Sequence, residues 1–265
     1  MLIQDFKYFS FYDSLELGLY MVVVGYYFLI FAYFLIMRFR LSKKSYWFFF
    51  SLLFIALSLS RVFFIIYYFY APETQNLALL MLTYRLAVFF TWIGISCLMG
   101  MLGILLFPPE VSEDRKYYID FDLKFIFRIV ILVAPIIIGI LALVFPDSLL
   151  IDEAYIQDFG LSSPVDPIAV FGYPVGRLII NFIFQPLFNI LVPVMFFYLA
   201  KKTFGVIRKS YALNGIGFLI YYTWRILYSV LGVLNAPHTQ AILPPLVILL
   251  SLLIIVIANS FEALK

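Results

Sequence analysis

Arg177-Leu-Ile-Ile-Asn181-Phe-Ile-Phe-Gln185-Pro-Leu-Phe-Asn189 sets four polar side chains at intervals of four in a run that is otherwise apolar. Helical neighbours four apart lie on nearly one face, so these form a stripe about 18 Å long at a rise of about 1.5 Å per residue. Guanidinium and carboxamide groups in such a row can hydrogen-bond a polar, above all an anionic, group away from bulk water. In hydrocarbon the stripe cannot face lipid. It lines a bundle interior or a watery cavity, either as interhelical hydrogen bonds or as ligand contacts.

Three further arginines, Arg61, Arg85 and Arg225, stand inside long apolar runs. Each costs about 2.5–3.5 kcal/mol at mid-membrane on insertion scales and therefore calls for a partner or water. Tyr221 and Ser229 flank Arg225 by four residues and Tyr228 follows it by three; Ser58 precedes Arg61 by three, and Trp92 follows Arg85 by seven. Acidic residues are scarce near them. Only Asp13 and Glu16, at the start of the first apolar run, come close. Two arrangements meet the need: loop acids fold in and pair with the arginines, or the arginines share an outward-open vestibule for a small anionic or lipid ligand. Arg binds carboxylates and phosphates bidentately and stays charged. The candidate ligand-binding set is thus Arg61, Arg85, Arg177, Asn181, Gln185, Asn189, Tyr221 and Arg225.

The elements that must hold this set are membrane-spanning helices. The 265 residues are 65% hydrophobic and 12% charged, with a mean hydropathy of +1.06. A soluble core could not hide that much apolar surface, so the expectation is an all-α integral membrane protein, a single domain in a lipid bilayer, multi-pass in the cell membrane. Seven runs are long enough to span, near 15–37, 46–70, 78–107, 125–145, 175–199, 212–234 and 243–261. The third is long enough to tilt. Met1 to Glu16 lacks a basic n-region, so no cleavable signal is expected.

Orientation follows from the basic residues. Arg38, Arg40, Lys43 and Lys44 follow the first run; Arg115, Lys116 and Lys124 follow the third, with Arg128 just inside the fourth; Lys201, Lys202, Arg208 and Lys209 follow the fifth. Lys265 ends the chain, and the opposite side has only Lys7. The positive-inside rule puts the N-terminus outside and the C-terminus in the cytoplasm. The outer loop 146–174 carries Asp147, Asp152, Glu153, Asp158 and Asp166 without Lys or Arg, which suits a solvated loop or a lid. In the cytoplasmic loop 108–124, Ile119, Phe121 and Leu123 alternate with charges, a period of two that suits a short hairpin or an interfacial strip.

Prolines break several runs. Pro135, Pro186, Pro193 and the pair Pro244-Pro245 each leave a carbonyl four residues earlier without its helical donor. Pro193 frees Asn189 and Pro186 frees Phe182, and such carbonyls are tolerated where protein or water meets them. Ser96, Gly100 and Gly103 in the third run allow close helix contact.

Much chemistry is excluded. His238 is the single histidine and Cys97 the single cysteine, so neither a His-based metal cluster nor an internal disulfide can form. No run holds an intramembrane aspartate pair or a base for a serine nucleophile, and no phosphate-binding glycine loop is present. An enzyme is not expected, nor a cofactor, nor nucleic-acid binding.

Seven helices with an outer N-terminus resemble G-protein-coupled receptors, microbial rhodopsins and the seven-helix sensor modules of prokaryotic kinases. The resemblance covers helix count and orientation. A retinal Schiff base is ruled out because 243–261 contains no lysine, and no Asn-Pro-x-x-Tyr occurs in that run. Asp114-Arg115-Lys116-Tyr117 follows Pro108-Pro109, outside the helical run where the receptor signature would stand. The expected function is therefore receptor-like or sensor-like, non-enzymatic, with an Arg-lined outer pocket and a cytoplasmic or membrane protein partner meeting loops 38–44 and 201–209. An anion transporter or channel and a structural subunit of a membrane complex are the alternatives. The proline-broken fifth helix suits transport, whereas an odd helix count without repeats weighs against inverted-repeat carriers.

Overall fold

The computed structural model describes residues 11–107, 123–152, 157, 160, 166–170, 173–234 and 236–260, with the side chains of 123, 124, 225, 226, 229, 230, 232, 233 and 237 outside the description. About 90% of it is helical. Seven long helices follow one another: α1 Phe11–Ser42, α2 Ser45–Thr74, α3 Leu77–Leu106, α4 Leu123–Val144, α5 Val175–Lys202, α6 Gly205–Val233 and α7 Pro237–Ser260. Among the described residues six helices are long and apolar enough to cross a membrane, α1 to α5 and α7. The expected loop 108–124 falls outside the described residues up to 122.

The helices end where local chemistry stops them. After α1, Lys43 takes the left-handed conformation (φ 54°), and after α2 Gln75 does the same (φ 50°). Asn76 then caps α3, its side chain accepting from the Leu79 amide at 3.1 Å. The segment before α5 contains one helical turn, Asp147–Leu150, and a two-stranded antiparallel ladder, β1 Ala169–Val170 and β2 Tyr173–Pro174, with Ala169 opposite Pro174. Leu150 and Ile151 of this segment are buried, so it tucks into the bundle end.

α3 is the axis, with 72% of its apolar stretch inside the protein against 22% for α4. It packs on α2, α4 and α5, while α1 joins α2 to α7 and α6 joins α5 to α7. Small residues make the approach possible. A β-carbon on Gly100 would fall inside Leu132 of α4 and press on Phe49 of α2. Ser96 donates to the Leu132 carbonyl at 2.6 Å, an interhelical bond of the kind lipid cannot supply. Large apolar side chains such as Phe182, Leu187, Ile190 and Val194 on α5 face outward, as lipid demands.

Three spans contain a π-helical segment: Phe34–Phe39 in α1, Ile66–Tyr70 in α2 and Ile179–Phe184 in α5. Those of α2 and α5 stand just before Pro72 and Pro186, which cannot donate to the preceding turn.

The α6–α7 contact supplies a direct test. A β-carbon on Gly217 would lie 2.7 Å from an Ile255 side-chain carbon and 3.3 Å from the Ser251 carbonyl, whereas one on Gly25 would meet nothing within 4 Å. Gly217→Val is expected to cost about 1–3 kcal/mol by overpacking, and Gly25→Ala to stay within about 1 kcal/mol of the parent. Thermal unfolding in detergent measures both; equal losses would mean that α6 and α7 are not held in this contact.

Candidate functional site

The arginines are met one by one, from different directions. Arg85, on α3, reaches the end of α4, where the last carbonyls of a helix lack donors. It donates to the carbonyl of Leu143, to that of Phe145 at 2.5 Å and to the Asp147 carboxylate at 2.6 Å. A cation there also opposes the negative end of the helix dipole. Arg85 is therefore a cap on α4, contributed from the neighbouring helix.

Arg177 is buried at the head of α5. Its Nε donates to the Leu150 carbonyl at 2.5 Å and its Nη2 to the Tyr67 hydroxyl at 3.0 Å, while Nη1 stands 3.9 Å from the Asp152 carboxylate. The face of the guanidinium is taken by the Tyr84 ring, 4.3 Å away. Asn181 joins the same group, its amide 3.5 Å from the Tyr84 hydroxyl. Burial, with Tyr84 close by, pushes the Tyr173 phenol up, against the pull of Arg177 and a hydrogen bond with Asn181. Acids of the segment after α4 thus stand beside both Arg85 and Arg177. Glu153 and Asp158 lie outside the described residues.

The stripe keeps one face because its helix is not uniform. Three steps of four residues advance about 1200° in an α-helix, about 120° beyond three full turns. The π segment Ile179–Phe184 absorbs one residue, taking back about 100°. Arg177 and Gln185 consequently point the same way, and both are buried. Gln185 lines a cavity with Thr91 and Ile95 of α3, Leu53 of α2, and Phe218 and Tyr221 of α6. The unfilled space is about 360 Å³, most of it narrow, with room for about one or two waters. Thr91 is tied to Ser60 at 2.7 Å, and Ser60 to the Ala87 carbonyl at 2.8 Å. Asn189 lies deeper and does not line this cavity; its side-chain oxygen is buried without a hydrogen-bond partner among the described residues.

Arg61 differs from the other two. It is 8% exposed, and among the described residues it makes no ion pair within 4 Å. Its guanidinium lies beside two rings, 4.5 Å from Tyr20 and 4.9 Å from Trp224. Tyr20 stands in hydrogen-bonding reach of both Arg61 and Glu16, and Tyr27 and Tyr221 lie in its electrostatic range. Tyr27 donates to Tyr221 at 2.9 Å, so the Arg61 box continues into the Gln185 cavity.

The structure therefore joins Arg177 with Asn181, Gln185 with Tyr221, and Arg61 with the Tyr221 side of that cavity, while Arg85 serves the end of α4. The Arg225 side chain lies outside the described residues. Tyr20, Tyr67, Tyr84 and Trp224 are site residues that spacing did not single out. Their hydroxyls and rings read as ordinary apolar-run aromatics until the arginines are placed against them. Comparison with known protein families, curated proteins and solved structures finds no match for this chain. Among the described residues no group of His, Cys, Asp and Glu could hold a metal ion.

Capping and ion pairing at Arg85 can be separated. The Asp147 side chain is 44% exposed, so Asp147→Asn is expected to cost less than about 1 kcal/mol. Arg85→Leu strands two carbonyls and is expected to cost about 1–3 kcal/mol. Thermal unfolding of the two variants in detergent decides; a larger loss from Asp147→Asn would make the ion pair the dominant contact.

Proposed function

We propose that this chain is a non-enzymatic, seven-helix protein of the cell membrane, receptor-like or sensor-like, whose outer half recognises a small anionic group at Arg61. The N-terminus stands outside and the C-terminus in the cytoplasm, because the basic turns after α1 and α5 collect Lys and Arg. α6 counts as the seventh span: it packs lengthwise between α5 and α7, both apolar enough to cross, and must share their surroundings.

One observation carries the reading. Arg61 is a buried cation beside aromatic rings with no carboxylate within 4 Å among the described residues, Glu16 reaching it through Tyr20, whereas Arg85 and Arg177 each have a carboxylate within that distance. With rings 4.5 Å and 4.9 Å away and Tyr20 in hydrogen-bonding reach, the remaining N–H donors of the guanidinium suit an incoming carboxylate or phosphate oxygen. The narrow cavity reached through Tyr221, with room for about one or two waters, suits a ligand of a few atoms. Burial of Arg177 and Gln185 within the chain weighs against a subunit role, in which the polar stripe would face another chain. Output would pass to a partner at the cytoplasmic basic turns.

Thermal unfolding of purified protein against chloride, acetate and phosphate tests the proposal. Binding at a hundredfold excess over Kd adds about 2.7 kcal/mol, read as a rise in Tm. The rise is expected in the wild type and Arg61→Lys, and lost in Arg61→Gln. A rise that survives Arg61→Gln unchanged, or no rise with any anion or with vesicle-derived lipid, would sink it.

A further inference from the structure

A second cavity lies on the same axis toward the basic turns, lined by Trp47 and Phe50 of α2, Met101 of α3, Phe196 of α5, Asn214 of α6 and Asn259 of α7. Its unfilled space is about 280 Å³, with room for about one water. Its polar wall is organised. Asn259 donates to the Asn214 side chain at 2.9 Å, and Arg38 donates to the Asn259 carbonyl at 2.5 Å while stacking over Trp47 at 5.3 Å. The Ser210 hydroxyl, one turn before Asn214, is buried without a partner among the described residues.

The two cavities share their helices. Along α6, Tyr221 walls the outer one and Asn214 the inner one, with Phe218 between them at steps of three and four. Seven residues place the chambers about 10 Å apart. α2, α3 and α5 repeat the order, with Leu53, Thr91 and Gln185 above and Phe50, Met101 and Phe196 below. What divides them is a layer of three rings. Phe218 stacks on Phe196 at 5.5 Å, with 11° between the planes, and meets Phe50 edge-on at 6.4 Å. All three are at most 2% exposed.

We infer that Phe50, Phe196 and Phe218 form a hydrophobic gate on a path for water and small anions along the bundle axis, held shut in this structure. A narrow apolar ring blocks ions because water will not fill it. The charge at both ends selects the sign. Tyr221 of the outer chamber is in the field of Arg61, and Asn259 of the inner one carries Arg38. Among the described residues no carboxylate lines either chamber. Opening requires the Phe218 ring to leave the Phe196 stack, a rotamer and helix-rotation change rather than a chemical step. The inference goes beyond ligand recognition at Arg61 and does not need it.

Chloride efflux from proteoliposomes loaded with potassium chloride, with valinomycin carrying the counter-charge, reads the gate. Wild-type vesicles are expected to leak little above empty ones. Phe218→Asn, which hydrates the layer, and Phe196→Ala, which opens it, are expected to raise efflux at least about tenfold. Leu80→Ala removes a side chain that is 3% exposed and lines neither chamber; it is expected to stay at the wild-type rate. The gate is overturned if both phenylalanine variants, helical by circular dichroism and monodisperse, leak no faster than wild type, or if Leu80→Ala leaks equally. Potassium passing without valinomycin as fast as chloride would overturn the anion assignment. A Phe218→Asn leak combined with no Arg61-dependent anion shift would leave the gate standing and remove the receptor reading.

Discussion

A guanidinium inside an apolar bundle must place five N–H donors where water is scarce, and the upper half of this protein is arranged around that requirement. Arg177 meets it with a backbone carbonyl, a phenol hydroxyl, a distant carboxylate and a ring on its face. Arg85 meets it with the carbonyls that α4 leaves open at its end. Both solutions draw the chain after α4 back onto the bundle. That is why Leu150 and Ile151 are buried although they belong to a connecting segment. A connection that supplies carbonyls to intramembrane cations is a structural part of the core, and its acids are a secondary gain in partly solvated surroundings.

The second constraint is angular. A four-residue repeat drifts off a uniform α-helix, so a polar stripe at that spacing would wind toward lipid within three turns. The π segment of α5 removes the drift. Pro186 makes the insertion cheap, because the hydrogen bond it would otherwise break is already missing. In α2 the segment Ile66–Tyr70, before Pro72, sets Tyr67 inward against Arg177 and leaves Tyr68 half outside. Proline and π turn together thus decide which aromatic faces a cation and which faces lipid.

The all-α membrane architecture is legible in the sequence because 20-residue apolar runs have few other uses, and the helices begin and end within a few residues of the runs, α6 and α7 excepted. Those two start earlier: Gly205 to Tyr211 and Pro237 to Ile242 are too polar for a hydropathy window yet continue the helical hydrogen bonding. Arg61, Arg177 and Gln185 are legible as buried polar positions from their apolar surroundings alone. The partners are not. Whether Asp147 and Asp152 fold inward, and which of the 20 tyrosines stand beside a guanidinium, depends on helix rotation, which spacing of four misreports once a π turn intervenes. The Asn214–Asn259 pair had a signal, two carboxamides in otherwise apolar runs, but no periodicity links residues so far apart in the chain.

Polar groups at both ends and rings in the middle follow from one economy of burial. The carboxamides need each other or water, so Gln185 lines one narrow chamber and Asn214 with Asn259 the other, where such partners fit. Between them, α2 and α6 leave no side-chain donor or acceptor unmet among the described residues, Asn189 of α5 being the exception, and the best packing for facing positions is large flat rings in offset or edge contact. The same layer that makes the bundle stable also makes it dry. α6 takes part in all of these contacts: Phe218 in the ring layer, Asn214 in the inner chamber and Tyr221 in the outer one. A tilt of α6 against α5 would therefore act on the ring layer and on both chambers together.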